Sequence, residues 1–127
     1  MIDFETALFI HHKSVEDYGG GSGIRDEGSL HAALGRPWQT FGQQELYLTP
    51  VDKAAALFES IIINHPFIDG NKRTAYVLLR LTLNIYGFDI LAGEDEKYIM
   101  TIDASSGVIR FNEIKVWISN HLTTINK

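Results

Sequence analysis

Residues 65–73 read His65-Pro66-Phe67-Ile68-Asp69-Gly70-Asn71-Lys72-Arg73, and apolar residues at helical spacing border the run on both sides. On the N-terminal side lie Val51, Ala54, Ala55, Phe58, Ile61 and Ile62; Pro66 cannot continue their pattern, so a helix ends near His65. On the C-terminal side Ala75 to Leu79, then Leu81, Leu83, Ile85 and Tyr86, predict a second helix stopped at Gly87. This second helix is apolar on nearly every side, which places it at the centre of the core. Its N-terminus carries Gly70, Asn71, Lys72 and Arg73, where free backbone N–H groups and the helix dipole already favour an anion. A proton acceptor, a carboxylate, a glycine turn, an amide and two cations in one loop point to phosphate chemistry.

Upstream, Asp3 is placed to cap an opening helix with Phe4, Leu8, His11, Val15 and Tyr18 on one side. Tyr18-Gly19-Gly20-Gly21-Ser22-Gly23 ends it in a loop with the composition of a mobile one. Asp26 caps a short helix carrying Leu30, Ala33 and Leu34, which stops before Arg36-Pro37. Trp38 to Gly42 and Glu45 to Leu48 are rich in aromatic and β-favouring residues and predict a short hairpin or extended flap. Thr49-Pro50-Val51-Asp52 then supplies a hydroxyl cap, a proline at the first helical position and an acid at the third. Downstream, Phe88-Asp89-Ile90 predicts a brief extended segment, and Glu94 to about Ala104 a helix with Tyr98, Ile99 and Ile102 inward. Ser105-Ser106-Gly107 breaks it, and a last helix capped near Asn112 sets Ile114, Trp117, Ile118 and His121 or Leu122 on one face. The expected architecture is mostly α, a compact bundle of about six helices with one β-hairpin flap.

With 127 residues the expectation is a single domain over 1–127. The chain has no cysteine, which removes disulfides, thiolate nucleophiles and zinc–cysteine sites and suits a reducing compartment, so the cytoplasm is the expected location. No basic leader with an apolar core and no bilayer-length apolar run is present, so neither secretion nor membrane insertion is expected. A net charge of -5 argues against direct nucleic-acid binding through a basic face.

Within the loop, His65 suits a general base, although a helix C-terminus and nearby phosphates favour imidazolium whereas a base acts neutral. Asp69 suits Mg2+ held against phosphate oxygens, or else a helix N-cap. Gly70 allows close backbone approach, Asn71 is a neutral donor, Lys72 a point charge and Arg73 a planar fork. Phe67 reads as an apolar anchor with no chemistry. His11, His12, His31 and His121 show no carboxylate or cysteine at ligand spacing and read as ordinary surface or core residues.

The string HPFIDGNKRTA resembles the signature of the Fic/Doc family, H-x-F-x-[DE]-G-N-[GK]-R on a helix-loop-helix. Length, Tyr18-Gly19-Gly20, the Gly23-to-Gly28 stretch and Arg36-Pro37-Trp38-Gln39-Thr40-Phe41 are similar to its small Doc, or death-on-curing, branch. The resemblance implies ATP as co-substrate and Mg2+ on Asp69, with His65 as catalytic base. Gly70, Asn71, Lys72 and Arg73 would hold the nucleotide phosphates, with Lys72 also catalytic. Trp38, Gln39, Thr40 and Phe41 would form a flap that aligns an extended target segment by strand addition.

AMP-transferring members usually carry glycine where Lys72 stands and a second arginine where this chain has Tyr76. The lysine is shared with Doc toxins, which pass the terminal phosphate of ATP to a threonine of elongation factor Tu and so block translation. Phosphoryl transfer is therefore the first expectation and AMP transfer the second, Gly70 being compatible with both. No internal inhibitory string [ST]-x-x-x-E-[GN] occurs, which implies an antitoxin inhibiting in trans. A catalytically idle binding module and a zinc hydrolase using His65 and Asp69 are the readings from other classes.

Overall fold

The computed structural model describes residues 1–125. Six helices are present: α1 (Phe4–Tyr18), α2 (Glu27–Gly35), α3 (Pro50–Asn64), α4 (Asn71–Ile85), α5 (Glu94–Ser105) and α6 (Phe111–Asn120). Two antiparallel ribbons complete the described residues, β1 (Thr40–Phe41) with β2 (Gln44–Glu45) and β3 (Phe88–Ile90) with β4 (Leu122–Thr124). The mostly helical bundle and its flap match the expected fold class.

The helix starts follow the side chains expected to make them. Asp3 accepts from Thr6 N–H at 2.8 Å and Asp26 from Ser29 N–H at 3.0 Å. Thr49 and Asp52 form a reciprocal capping box around Pro50, satisfying two otherwise orphaned donors.

The centre of the bundle is α3, not α4. Every residue from Lys53 to Ile62 is buried, with α2, α4, α5, α6 and the turn before the flap packed around it. Ala54, Ala55 and Ala56 let neighbours approach, while the polar side chains of this helix are buried only because they are paired, as described below. Helix α4 buries one stripe, Ala75, Leu78, Leu79 and Leu83, and leaves Val77 and Ile85 exposed. Hydrophobicity all round therefore marks an apolar surface here, not a central position.

Two further expectations are corrected. Tyr98 and Ile99 of α5 are 66% and 58% exposed, and Ile102 is only partly buried; the inward pair is Met100 and Ala104. The short Ala104 and the flexible, unbranched Met100 let α5 sit against α3, and Tyr98 and Ile99 flank it. The last helix is capped at Arg110, whose N–H donates to Glu113, and ends at Asn120. Leu122 pairs with Ile90 in a β-ribbon and does not continue the helical face, a change the β-branched Thr123 and Thr124 favour. No helix among the described residues is long and apolar enough to cross a membrane.

Candidate functional site

Helix α3 ends on His65, which adopts the left-handed conformation at φ 49° and turns the chain sharply into Pro66. The next side chain, Phe67, is fully buried and stacks on the His11 ring at 3.9 Å, fixing the loop from below as an apolar anchor should. His11 Nε2 lies 2.7 Å from Asp69 O; a carbonyl only accepts, so the ring donates. Asn71 is 8% exposed and closes the loop on itself, its Oδ1 accepting from Phe67 N–H at 2.9 Å and its Nδ2 donating to Phe67 O at 3.0 Å. The backbone N–H of Asn71, not its side chain, is what the start of α4 offers a ligand. Gly70, at φ 74°, turns the chain into α4 where a side chain would be strained.

Asp69 does not cap α4 by its side chain; the capping position is Gly70, which makes no side-chain bond. Instead Asp69 Oδ1 accepts from Gly70 N–H at 2.8 Å and Oδ2 from Gly21 N–H at 3.3 Å. These two backbone donors, Gly70 first, hold the exposed carboxyl below the usual carboxylate range, so it is ionised at neutral pH. A single exposed carboxylate fits a hard cation that keeps waters and takes phosphate oxygens as further ligands, as Mg2+ does. Among the described residues no three His, Asp or Glu side chains cluster, so the closed ligand set of a structural zinc site is not assembled.

The glycine loop expected to move is packed along this carboxylate. A Cβ at Gly20 would stand 2.9 Å from Asp69 Oδ2, and one at Gly21 or Gly23 would meet Ile68 at 3.3 Å. At Gly20, Gly21 and Gly23 a side chain would crowd Asp69 or Ile68.

Lys72 and Arg73 are exposed on the first turn of α4. The Arg73 guanidinium lies 4.3 Å over the Tyr18 ring. Both residues line a cleft of about 740 Å³ between α1, α4 and α5, which also exposes Phe9, Tyr76, Val77 and Tyr98. The other cations of that cleft have carboxylate partners: Lys13 with Asp17 at 3.8 Å, Arg80 with Asp89 at 2.8 Å, and Lys97 with Glu94 at 2.9 Å. His65 and Asp69 lie outside this lining.

The flap is anchored towards the other end of α3. Its strands are only two residues each, joined by Gly42-Gln43 with both φ positive, the geometry of a type I′ hairpin turn. Gln39, Thr40 and Phe41 are exposed, Phe41 by 80%, whereas Trp38 belongs to a 3-10 turn (Arg36–Trp38) and is partly buried. Trp38 is thus a hinge-side residue of the flap, set there because its ring covers the Lys53 ammonium at 4.6 Å. Lys53, 4% exposed, also donates to Glu45 at 2.8 Å, Tyr47 O at 2.5 Å and Pro37 O at 3.3 Å, so both legs of the flap meet on one ammonium. Arg36 donates to Tyr47 Oη, Ala56 O, Glu59 and Ser60 Oγ, and Glu59 also accepts from Arg110 at 3.0 Å. From Lys53 to His65 the helix rises roughly 18 Å, so flap base and His65 sit at opposite ends of it.

The structure thus brings His65, Asp69, Gly70, Asn71, Lys72 and Arg73 into one loop and sets Trp38 to Phe41 on a separate support. Sequence reasoning missed the support: Lys53, Arg36, Glu59, His11 and Arg25, treated below. Charged residues inside the apolar stretch 53–62 were the available signal, since such residues are buried only when paired. The histidines read as unpartnered are corrected too: His12 meets Glu16 at 3.0 Å, His31 meets Glu27 at 3.6 Å and His121 meets Glu96 at 2.9 Å. The first two are exposed pairs one helical turn apart, and His121 bridges α5 and α6.

A family model described as Fic/DOC family matches residues 1–83, from α1 through the flap, α3 and the loop into α4. Toxin Doc of Mycolicibacterium smegmatis is 42% identical over 78 residues, which are 61% of this chain and 60% of that protein. The match therefore spans less than two thirds of the relative's length. With well over half of its residues covered by the family model, and the motif folded as a helix-loop-helix, this chain belongs to the Fic/DOC family.

Proposed function

We propose that the chain transfers the terminal phosphate of ATP to a hydroxyl of a target protein, and acts as the toxin of a toxin–antitoxin pair in the cytoplasm. The observation that carries this reading is the pair Lys72 and Arg73, exposed and outside any carboxylate ion pair among the described residues, on the helix start next to Asp69 and His65. Two free cations at a helix N-terminus attract a polyphosphate. His65 takes the hydroxyl proton as the hydroxyl oxygen bonds to the γ-phosphorus, and the bond to the β–γ bridging oxygen breaks to release ADP. Lys72, Arg73 and the Asn71 N–H orient the phosphates and balance their charge, and Gly70 lets them approach the backbone closely. Mg2+ held by Asp69 would neutralise phosphate charge. Gln39, Thr40 and Phe41 offer the target a strand edge, and Trp38 sets its base.

The toxin role is supported by the likeness to Toxin Doc. Elongation factor Tu is the target proposed, on the resemblance of the loop motif with its Lys72 to the Doc branch. A small antitoxin with an acidic, amphipathic segment would fit the cleft beside Lys72 and Arg73, where exposed apolar side chains and free cations adjoin. Tyr76 favours phosphoryl over AMP transfer, because its place on α4 supplies no second arginine and its ring already lies 5.3 Å from Lys97.

ATP labelled at the γ or the α phosphate separates the two chemistries. Label from γ alone is expected on protein in a cell lysate; label from α alone would overturn kinase chemistry. His65→Ala is expected to lower transfer by roughly a hundredfold or more. Unchanged toxicity of that variant in growing cells would leave only a binding module.

A further inference from the structure

Residues 23–26 lie alongside the 65–70 loop as a brace. Ile24 bridges Phe67 in antiparallel fashion, Ile68 N–H donates to Gly23 O at 3.1 Å, and the N–H groups of Arg25 and Asp26 both donate to Pro66 O, at 2.7 and 3.0 Å. These backbone bonds place the loop, and the Asp26 side chain is occupied in capping α2. The Arg25 side chain does something separate. Its Nε donates to His65 O at 2.6 Å and its Nη2 to Asn64 O, so one guanidinium spans the two consecutive carbonyls on which α3 ends.

We propose that Arg25 is a positioning residue for His65, holding its left-handed backbone so that the imidazole points at the target hydroxyl. The inference rests on the proposed role of His65 as base. The left-handed position at a helix end is normally given to glycine, and a histidine keeps that conformation only where its surroundings over-determine it. A planar fork with two donors fixes two adjacent carbonyls at once, which a lysine ammonium on a flexible stem does not. The side chain is exposed, so its removal opens no cavity and the effect falls on geometry more than on stability.

The test compares full-length wild type with Arg25→Ala, Arg25→Lys and His65→Ala in transfer of γ-label from ATP to lysate protein, corrected for folded enzyme. Arg25→Ala is expected to lose roughly ten- to a hundredfold in kcat with the KM for ATP unchanged. Added guanidinium, below denaturing concentration, should restore part of the loss where equal NaCl does not, and Arg25→Lys should stay low. Full activity of either Arg25 variant, or a loss that follows melting temperature alone, overturns the proposal. Amide hydrogen exchange reads the geometry without any reaction. Exchange at residues 65–68 should rise by about tenfold or more in Arg25→Ala while α4 is unaffected, and no rise overturns the positioning role whatever His65→Ala does. An inactive Arg25→Ala beside a fully active His65→Ala would sink the base assignment instead.

Discussion

Arg36 with Lys53 and Lys72 with Arg73 are two arginine–lysine couples of one chain, and their surroundings are opposite. Lys53 and Arg36 are held by carboxylates, carbonyls and two hydroxyls at the flap base, while Lys72 and Arg73 stand in solvent on α4 with, among the described residues, only an aromatic face beneath the arginine. Partnering separates their tasks. A cation engaged by acceptors inside the fold builds architecture, and one with no such acceptor is available to a ligand. The same contrast holds for the carboxylates, with Glu59 buried between two arginines and Asp69 exposed and held only by backbone N–H groups.

The sharpest way to break this contrast is Glu59→Ala, which leaves Arg36 and Arg110 facing an uncompensated, largely buried site. It is expected to destabilise the protein by about 3–5 kcal/mol in urea denaturation, with activity per folded molecule retained. A loss within experimental error would show that the buried network is dispensable. Lys53→Met comes next: three acceptors lose their donor, so about 1–3 kcal/mol of stability should go, and amides of residues 38–47 should exchange faster than those of α4. The free couple should behave in reverse. Lys72→Ala or Arg73→Ala should leave stability within about 0.5 kcal/mol and raise the apparent KM for ATP by roughly tenfold. Destabilisation without a change in KM would reassign the pair to the fold.

The smallest effect concerns a pair that belongs to neither couple. His121 Nδ1 lies 2.7 Å from the Trp117 carbonyl and Nε2 lies 2.9 Å from Glu96; the carbonyl first, then the carboxylate, raise the pKa of the ring. A raised folded value means the protonated ring is favoured in the fold. Its stabilising share is fully present below the ordinary histidine range near ~6.5 and is lost as pH rises through the folded value. Wild type should therefore exceed His121→Gln in melting temperature by more at pH 6 than at pH 9. The reverse trend would mean that the neutral ring is the favoured form.

Much of this was readable in the chain because the signals are local. Asp3, Asp26 and Thr49-Pro50-Val51-Asp52 announce helix starts within four residues, and Pro66 and Gly70 announce where the helical pattern must break. What escaped depends on contacts distant in sequence. Met100 and Ala104 face inward because α3 approaches there, and Leu122 to Thr124 is a strand because Phe88 to Ile90 lies beside it. For the site, residue types and order in 65–73 carried the reading, whereas the props came from 40 or more residues away: Arg25 on the His65 carbonyl, Gly21 on the Asp69 carboxylate and His11 on the Asp69 carbonyl.

The contact between the Gly21 N–H and Asp69 Oδ2 has a use outside architecture. An amide hydrogen's chemical shift responds to the charge of the oxygen it faces, and this amide belongs to a glycine 48 residues upstream of the carboxylate. A nitrogen-15 spectrum of the protein thus contains an indicator wired to Asp69. Adding Mg2+, ATP or both in turn should move the Gly21 cross-peak by different amounts, and would allow the loading order of the site to be read without a target protein, a label or any turnover.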